Sequence, residues 1–89
     1  MAARPHLIIY TLEHCPNCEL LKSYLDGIGV TYTEEDMSSA ASLTELRVNG
    51  IFVEEAPVLR NNLVFLTSRE LFSAGKVRAE IIARCLEGV

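Results

Sequence analysis

His6-Leu-Ile-Ile-Tyr-Thr11, followed after Leu12-Glu-His14 by Cys15-Pro-Asn-Cys18, is the stretch on which the reading of this chain turns. Its first six residues form an apolar, β-branched and aromatic run without polar alternation, the pattern of a strand buried on both faces. Pro16 suits the first position of a helix, where its missing N–H would have no partner anyway and its fixed φ is already helical. Cys15 then falls at the N-cap. From Cys18 onward, Leu21, Leu25 and Ile28 recur at spacings of three and four and give one buried stripe. Asp26-Gly-Ile-Gly29 ends that helix, and Val30-Thr-Tyr-Thr33 reads as a second strand. Strand, helix and strand make a parallel pair with a right-handed connection. The two cysteines stand where the first strand gives way to the helix.

Working outward, Ser42-Leu-Thr-Glu45 has capping-box spacing and predicts a short second helix that leaves through Asn49-Gly50. Ala56-Pro-Val-Leu-Arg60 and Leu63-Val-Phe-Leu66 flank Asn61-Asn62, two residues that tolerate positive φ, and are expected as antiparallel strands three and four. Thr67-Ser-Arg-Glu70 repeats the capping-box spacing. Leu71, Phe72, Val77, Ile81, Ile82 and Leu86 then carry an apolar stripe through a final helix that Gly75 kinks or divides. The expected order is β-α-β-α-β-β-α: an α/β protein with a four-stranded mixed sheet flanked by helices, in a single domain spanning 1–89.

Composition narrows the function. With 89 residues, 49% hydrophobic and 22% charged, the chain has the make-up of one globular unit. Its net charge of −4, from 12 acidic and 8 basic residues, offers no basic excess for a phosphate backbone, so nucleic acid is not an expected partner. Met1 to Thr11 lacks the pattern of a signal peptide, and no run reaches transmembrane length, so a cytoplasmic monomer with no membrane partner is expected. Three cysteines cannot all pair within one chain. In a reducing compartment a C-x-x-C pair is catalytic or metal-binding rather than a structural staple.

The chemistry of the pair follows from its place. Disulfide exchange needs a thiolate, and a helix N-terminus favours one through its partial positive charge and unpaired N–H groups. Cys15 occupies that position as the expected nucleophile, and Cys18 lies one turn on as the resolving thiol. A protonated His14 would add to the effect and Glu13 would oppose it. Half of a zinc site has the same spacing, and a zinc or iron–sulfur carrier using this pair is one alternative; a non-catalytic interaction domain is another. Cys85, His6 and His14 form no recognisable ligand spacing with the pair, and no resident metal is expected. Cys85, among Ile82, Ala83 and Leu86, reads as a buried structural thiol. His6 begins a strand, and Tyr10 ends near the cysteines. Glu34-Glu-Asp36 reads as a solvated strand end, with Glu54-Glu55 beside the site rim.

Through the first strand, Cys15-Pro16-Asn17-Cys18, the strand–helix–strand unit and Ala56-Pro57-Val58, the sequence resembles the glutaredoxin branch of the thioredoxin superfamily over nearly its whole length. The resemblance implies a thioredoxin-like fold of glutaredoxin type and a dithiol oxidoreductase that reduces protein disulfides. It implies that Pro57 is cis and faces the pair, and that Ala56 offers its backbone to the incoming substrate. Pro16 and Asn17 of the motif, and Thr67 and Ser68 after strand four, are carried over as substrate-binding positions. Glutathione-using relatives commonly carry a Lys shortly before the first cysteine and a Gly-Gly-Asp-type segment after strand four. Leu12-Glu13 and Thr67-Ser68-Arg69 stand there instead, which weighs against glutathione; the redox-active disulfide is the expected group, and a glutathione-dependent glutaredoxin, with Arg47 or Arg69 receiving an anion, is a further alternative. Thr44 to Gly50, Ala56 to Leu59 and Thr67 to Leu71 are similar to the small redoxins that supply electrons to ribonucleotide reductase, including the anaerobic class. The implied partners are a disulfide-containing protein such as that reductase and, upstream, a thiol or a flavin- or ferredoxin-linked reductase.

Overall fold

The structure, a computed structural model, describes residues 7–87; His6, read above as the start of the first strand, lies outside them. The elements run β1 (Leu7–Thr11), α1 (Pro16–Gly27), β2 (Tyr32–Asp36), α2 (Ala40–Val48), β3 (Val58–Asn61), β4 (Val64–Leu66), α3 (Ser68–Leu71), β5 (Phe72–Ser73), β6 (Lys76–Val77) and α4 (Ala79–Glu87). The first four strands form one mixed sheet in the order β2-β1-β3-β4. β1 is parallel to β2 and antiparallel to β3, and β3 is antiparallel to β4.

The strand period of two sorts the core into two layers. Leu7 and Ile9 of β1, Leu59 of β3 and Leu66 of β4 pack with Leu21 and Leu25 of α1, Leu71 of α3 and Ile82 and Cys85 of α4. Their neighbours Tyr10 and Val58 turn to the other face and meet Met37, just after β2, and Leu46 of α2, with Ile8 and Phe65 beside them. Covered on both sides, β1 carries apolar residues at consecutive positions, as its sequence predicts. No helix among the described residues is long and apolar enough to cross a membrane.

Several boundaries move from the sequence reading. β2 begins at Tyr32 and continues through Glu34, Glu35 and Asp36, because an edge strand with an open face accepts charged side chains without desolvating them. α2 is capped by Ser39, whose hydroxyl oxygen accepts from the Ser42 N–H at 3.1 Å; Ser42 sits inside the helix and is no cap. β3 starts at Val58, after a cis Ala56–Pro57 peptide. The β3–β4 turn is Asn62-Leu63, since Asn61 pairs with Val64 and only Asn62 has positive φ, at 58°.

Asn61 belongs to the strand because its side chain is needed inside. It is 2% exposed, and its Nδ2 donates to the Cys85 carbonyl at 2.8 Å, satisfying an acceptor in the last turn of α4. Asn61→Ala is expected to destabilise the fold by about 1–3 kcal/mol, measurable in urea, because that buried carbonyl loses its partner. An unchanged midpoint would show that the bond contributes nothing.

The terminal helix expected to be kinked or divided at Gly75 is divided, and a β-hairpin separates its two parts. Thr67 and Glu70 do form the capping box, with the Thr67 N–H donating to Glu70 Oε1 at 3.0 Å, but α3 ends after one turn. Phe72 and Ser73 then pair with Val77 and Lys76 around Ala74-Gly75, whose φ values are 52° and 76°. Two successive positive φ values make a hairpin turn, which Gly75 adopts without a Cβ penalty. Phe72 and Val77 still reach the core, but from a small two-stranded sheet.

Candidate active site

Parallel strands end at the same sheet edge, and Thr11 of β1 stands in register with Asp36 of β2. There the chain turns through Leu12-Glu13-His14, with His14 at φ 54°, and enters α1. Cys15 is the N-cap, in extended conformation at φ −111° and ψ 99°, and its sulfur accepts from the Cys18 N–H at 3.0 Å. A first-turn N–H has no carbonyl within the helix, so it is free to serve a sulfur placed here. Pro16 takes the following position, as expected for a residue with no N–H to satisfy.

Cys15 and Cys18 are joined as a disulfide, with Cα atoms 5.2 Å apart. The two sulfurs are not equivalent. Cys18 is 1% exposed, beneath the first turn of the helix, while Cys15 is half-buried and reaches the surface. Beside Cys15 runs the segment preceding β3: its sulfur lies 3.7 Å from the Ala56 carbonyl oxygen, and the fully buried Pro57 stands behind. Residues 41 positions apart are thus brought together by the pairing of β1 with β3.

An open cleft of about 430 Å³ collects Cys15, Pro16, Asn17, Ala56 and Ser68 on one surface, with Glu54 and Glu55 on its rim. Thr67 borders an adjoining cleft of about 490 Å³ with Ser68 and Arg69. The Thr67 hydroxyl is occupied, donating to Glu70 Oε1 at 3.1 Å. Of the residues singled out in the sequence, Cys18 and Pro57 are therefore buried supports, Ser68 is 7% exposed at the cleft floor, and the other five line adjoining clefts.

A wider cleft of about 790 Å³ opens on the other side of Cys15, towards the end of β2, and includes Glu34, Glu35 and Asp36. These residues are more than a solvated strand end: the parallel register carries them to the same edge as the cysteines. Glu34 accepts from the Thr11 hydroxyl at 2.8 Å and from Lys22 Nζ at 3.2 Å, which holds its carboxyl below the ordinary range. The Ser38 hydroxyl and N–H do the same for Asp36. Lys22, bound to Glu19 at 2.8 Å as well as to Glu34, is pushed up by both.

Two other residues of chemical interest belong elsewhere. Tyr10 lies in the α2-side layer, and its hydroxyl accepts from Arg60 Nη1 at 3.2 Å, so it is a packing residue of that face. Cys85 is free and 4% exposed in the α1–α4 layer, where burial pushes its thiol up. Among the described residues, no group of three or more His, Cys, Asp or Glu side chains is placed to hold a metal ion. A scan against protein-family models returns no match for the chain, and a search of curated proteins returns none.

Proposed function

We propose that the chain is a dithiol thiol–disulfide oxidoreductase, with Cys15 as nucleophile and Cys18 as resolving thiol. The observation that carries this reading is the asymmetry of the pair: one sulfur surface-reaching at a helix N-cap, its partner buried one turn later and within bonding reach. The mixed sheet in the order β2-β1-β3-β4, the pair at the β1–α1 junction and the Ala56 carbonyl beside Cys15 support a thioredoxin-like fold of glutaredoxin type.

In the reduced protein the Cys15 sulfur, as thiolate, attacks one sulfur of a substrate disulfide. That S–S bond breaks, and the electron pair leaves on the other substrate sulfur, which takes up a proton. The Cys18 thiol then gives up its proton, and its sulfur attacks Cys15 in the mixed disulfide. The second substrate sulfur departs as thiolate and is protonated in turn. Two electrons and two protons pass to the substrate, and the Cys15–Cys18 bond remains. The Cys18 N–H, directed at the Cys15 sulfur, stabilises the anion whenever Cys15 is the leaving or attacking group. A thiol or a flavin- or ferredoxin-linked reductase restores the pair. A protein disulfide in a reducing compartment, such as that of a ribonucleotide reductase, is the substrate class this reading favours over glutathione.

The test is a single turnover. Fully reduced protein mixed with an excess of a protein disulfide is expected to lose two thiols per chain for each substrate disulfide reduced, and peptide mapping to place the new bond at Cys15–Cys18 with Cys85 still free. No loss of thiols, or oxidation centred on Cys85, would overturn the proposal.

A further inference from the structure

We infer that the substrates of Cys15 are disulfides held on cationic polypeptide segments; this rests on the thiol–disulfide reading and names the chemistry of its substrate. Among the described residues, the Lys, Arg, Asp and Glu side chains lining the clefts around the Cys15 sulfur are all carboxylates, with His14 beside them. The wide cleft on its β2 side carries Glu13, Glu19, Glu34, Glu35 and Asp36, and the cleft on its β3 side carries Glu54 and Glu55. Seven of the chain's 12 acidic residues therefore face the two clefts that meet at Cys15, and among the described residues no Lys or Arg lines either.

Part of this charge is met by cations nearby: Arg69 lines a cleft with Glu54 and Glu55, and Arg47 a groove with Glu54. Lys22 pairs with Glu19 and Glu34, while Arg60 and Arg78 are held by Glu45 and Glu80. Among the described residues, Glu13, Glu35, Asp36, Glu54 and Glu55 have no ion pair. Uncompensated like charges repel one another in the free protein, and a partner of opposite sign relieves that repulsion and is steered towards the site. A small thiol bearing carboxylates meets the same field with the wrong sign.

The surface also has the length and footing for a chain rather than a small cation. Leu12 borders both clefts and a third groove of about 440 Å³, lined by Leu43, Ile51, Phe52 and Val53. Phe52 is 77% exposed there. An extended segment whose half-cystine meets Cys15 would have apolar footing on one side and carboxylates along both edges.

Three synthetic peptides, each closed by one internal disulfide and differing only in whether Lys, Ser or Glu flanks the cysteines, test the inference with stoichiometric pre-reduced protein. Each rate is divided by that of the same peptide with dithiothreitol, which removes the effect of flanking charge on the disulfide's own reactivity. At low ionic strength the normalised Lys-to-Glu rate ratio is expected to be about tenfold or more, within the range of electrostatic steering. Near 1 M salt, where the screening length is about 3 Å, it should collapse towards one. A variant carrying Glu35→Gln, Asp36→Asn, Glu54→Gln and Glu55→Gln should lower the ratio at low salt, read against its own rate on the Ser peptide. Equal normalised rates for all three peptides at low salt would overturn the inference while leaving the oxidoreductase reading intact. Failure to reduce even the Ser peptide would remove both.

Discussion

Cys15→Ser is expected to reduce disulfide-reductase activity by on the order of 10³-fold or more, to the level of uncatalysed exchange, because a serine hydroxyl has no accessible anion at neutral pH to take the nucleophile's place. Cys18→Ser should behave differently. It retains the surface-reaching sulfur at the N-cap and the backbone N–H that points at it, so attack on the substrate proceeds, but nothing behind Cys15 is left to release the product. The mixed disulfide should accumulate to one substrate per chain, and mass spectrometry of the captured species would identify the partner. The contrast depends on burial. With Cys18 only 1% exposed, the two sulfurs cannot exchange roles without unpacking the first turn of α1. If Cys15→Ser proved harmless and Cys18→Ser kept full dithiol turnover, the assignment of roles would be reversed or void.

Leu59→Ala carries the largest expected effect on stability. Leu59 has no exposed surface, and in the middle of β3 it packs within the layer between the sheet and α1, α3 and α4. Removing its isobutyl group leaves a cavity that neighbours on three helices can only partly fill, at a cost of about 2–5 kcal/mol. That is a large share of the roughly 5–15 kcal/mol that holds a small domain together. The melting temperature should fall by at least about 8 °C, since each kcal/mol corresponds to roughly 4–8 °C at this size. Leu63→Ala is the control. At 74% exposed in the β3–β4 turn, Leu63 should change stability by no more than about 0.5 kcal/mol. Equal losses at the two positions would contradict the core as described.

How much of this was legible beforehand depends on the range of the interaction that decides each feature. The N-cap at Cys15, Pro16 at the first helical position, Leu21 and Leu25 of the α1 stripe, and the Thr67–Glu70 capping box all appear as read, because each is settled within one or two turns of chain; Ile28, read into that stripe, instead caps the helix C-terminus and is 46% exposed. The break at Gly75 was legible but the hairpin there was not, because Leu71, Phe72 and Val77 fit a helical stripe and also fit a hairpin; the positive φ at Ala74 and Gly75 selects the second. The capping box read at Ser42 lost to Ser39, a competing hydroxyl three residues earlier that caps the same helix one turn sooner. Asn61 was read as a turn residue on its tolerance of positive φ, a property of the free residue; a carbonyl of α4, 24 positions away, draws it into the strand instead.

Local stereochemistry and side-chain patterning were thus sufficient, in the one-dimensional chain, to place a cysteine at the start of a helix with its partner one turn on, between a buried strand and a second strand that ends in Glu34-Glu35-Asp36. Which carboxylates surround that sulfur was decided by the register of β1 with β2, and its nearness to the Ala56 carbonyl by the pairing of β1 with β3. Those pairings depend on burying Leu7, Ile9, Leu59 and Leu66 together under the helices, a contribution shared by residues from across the chain and carried by no short stretch of it.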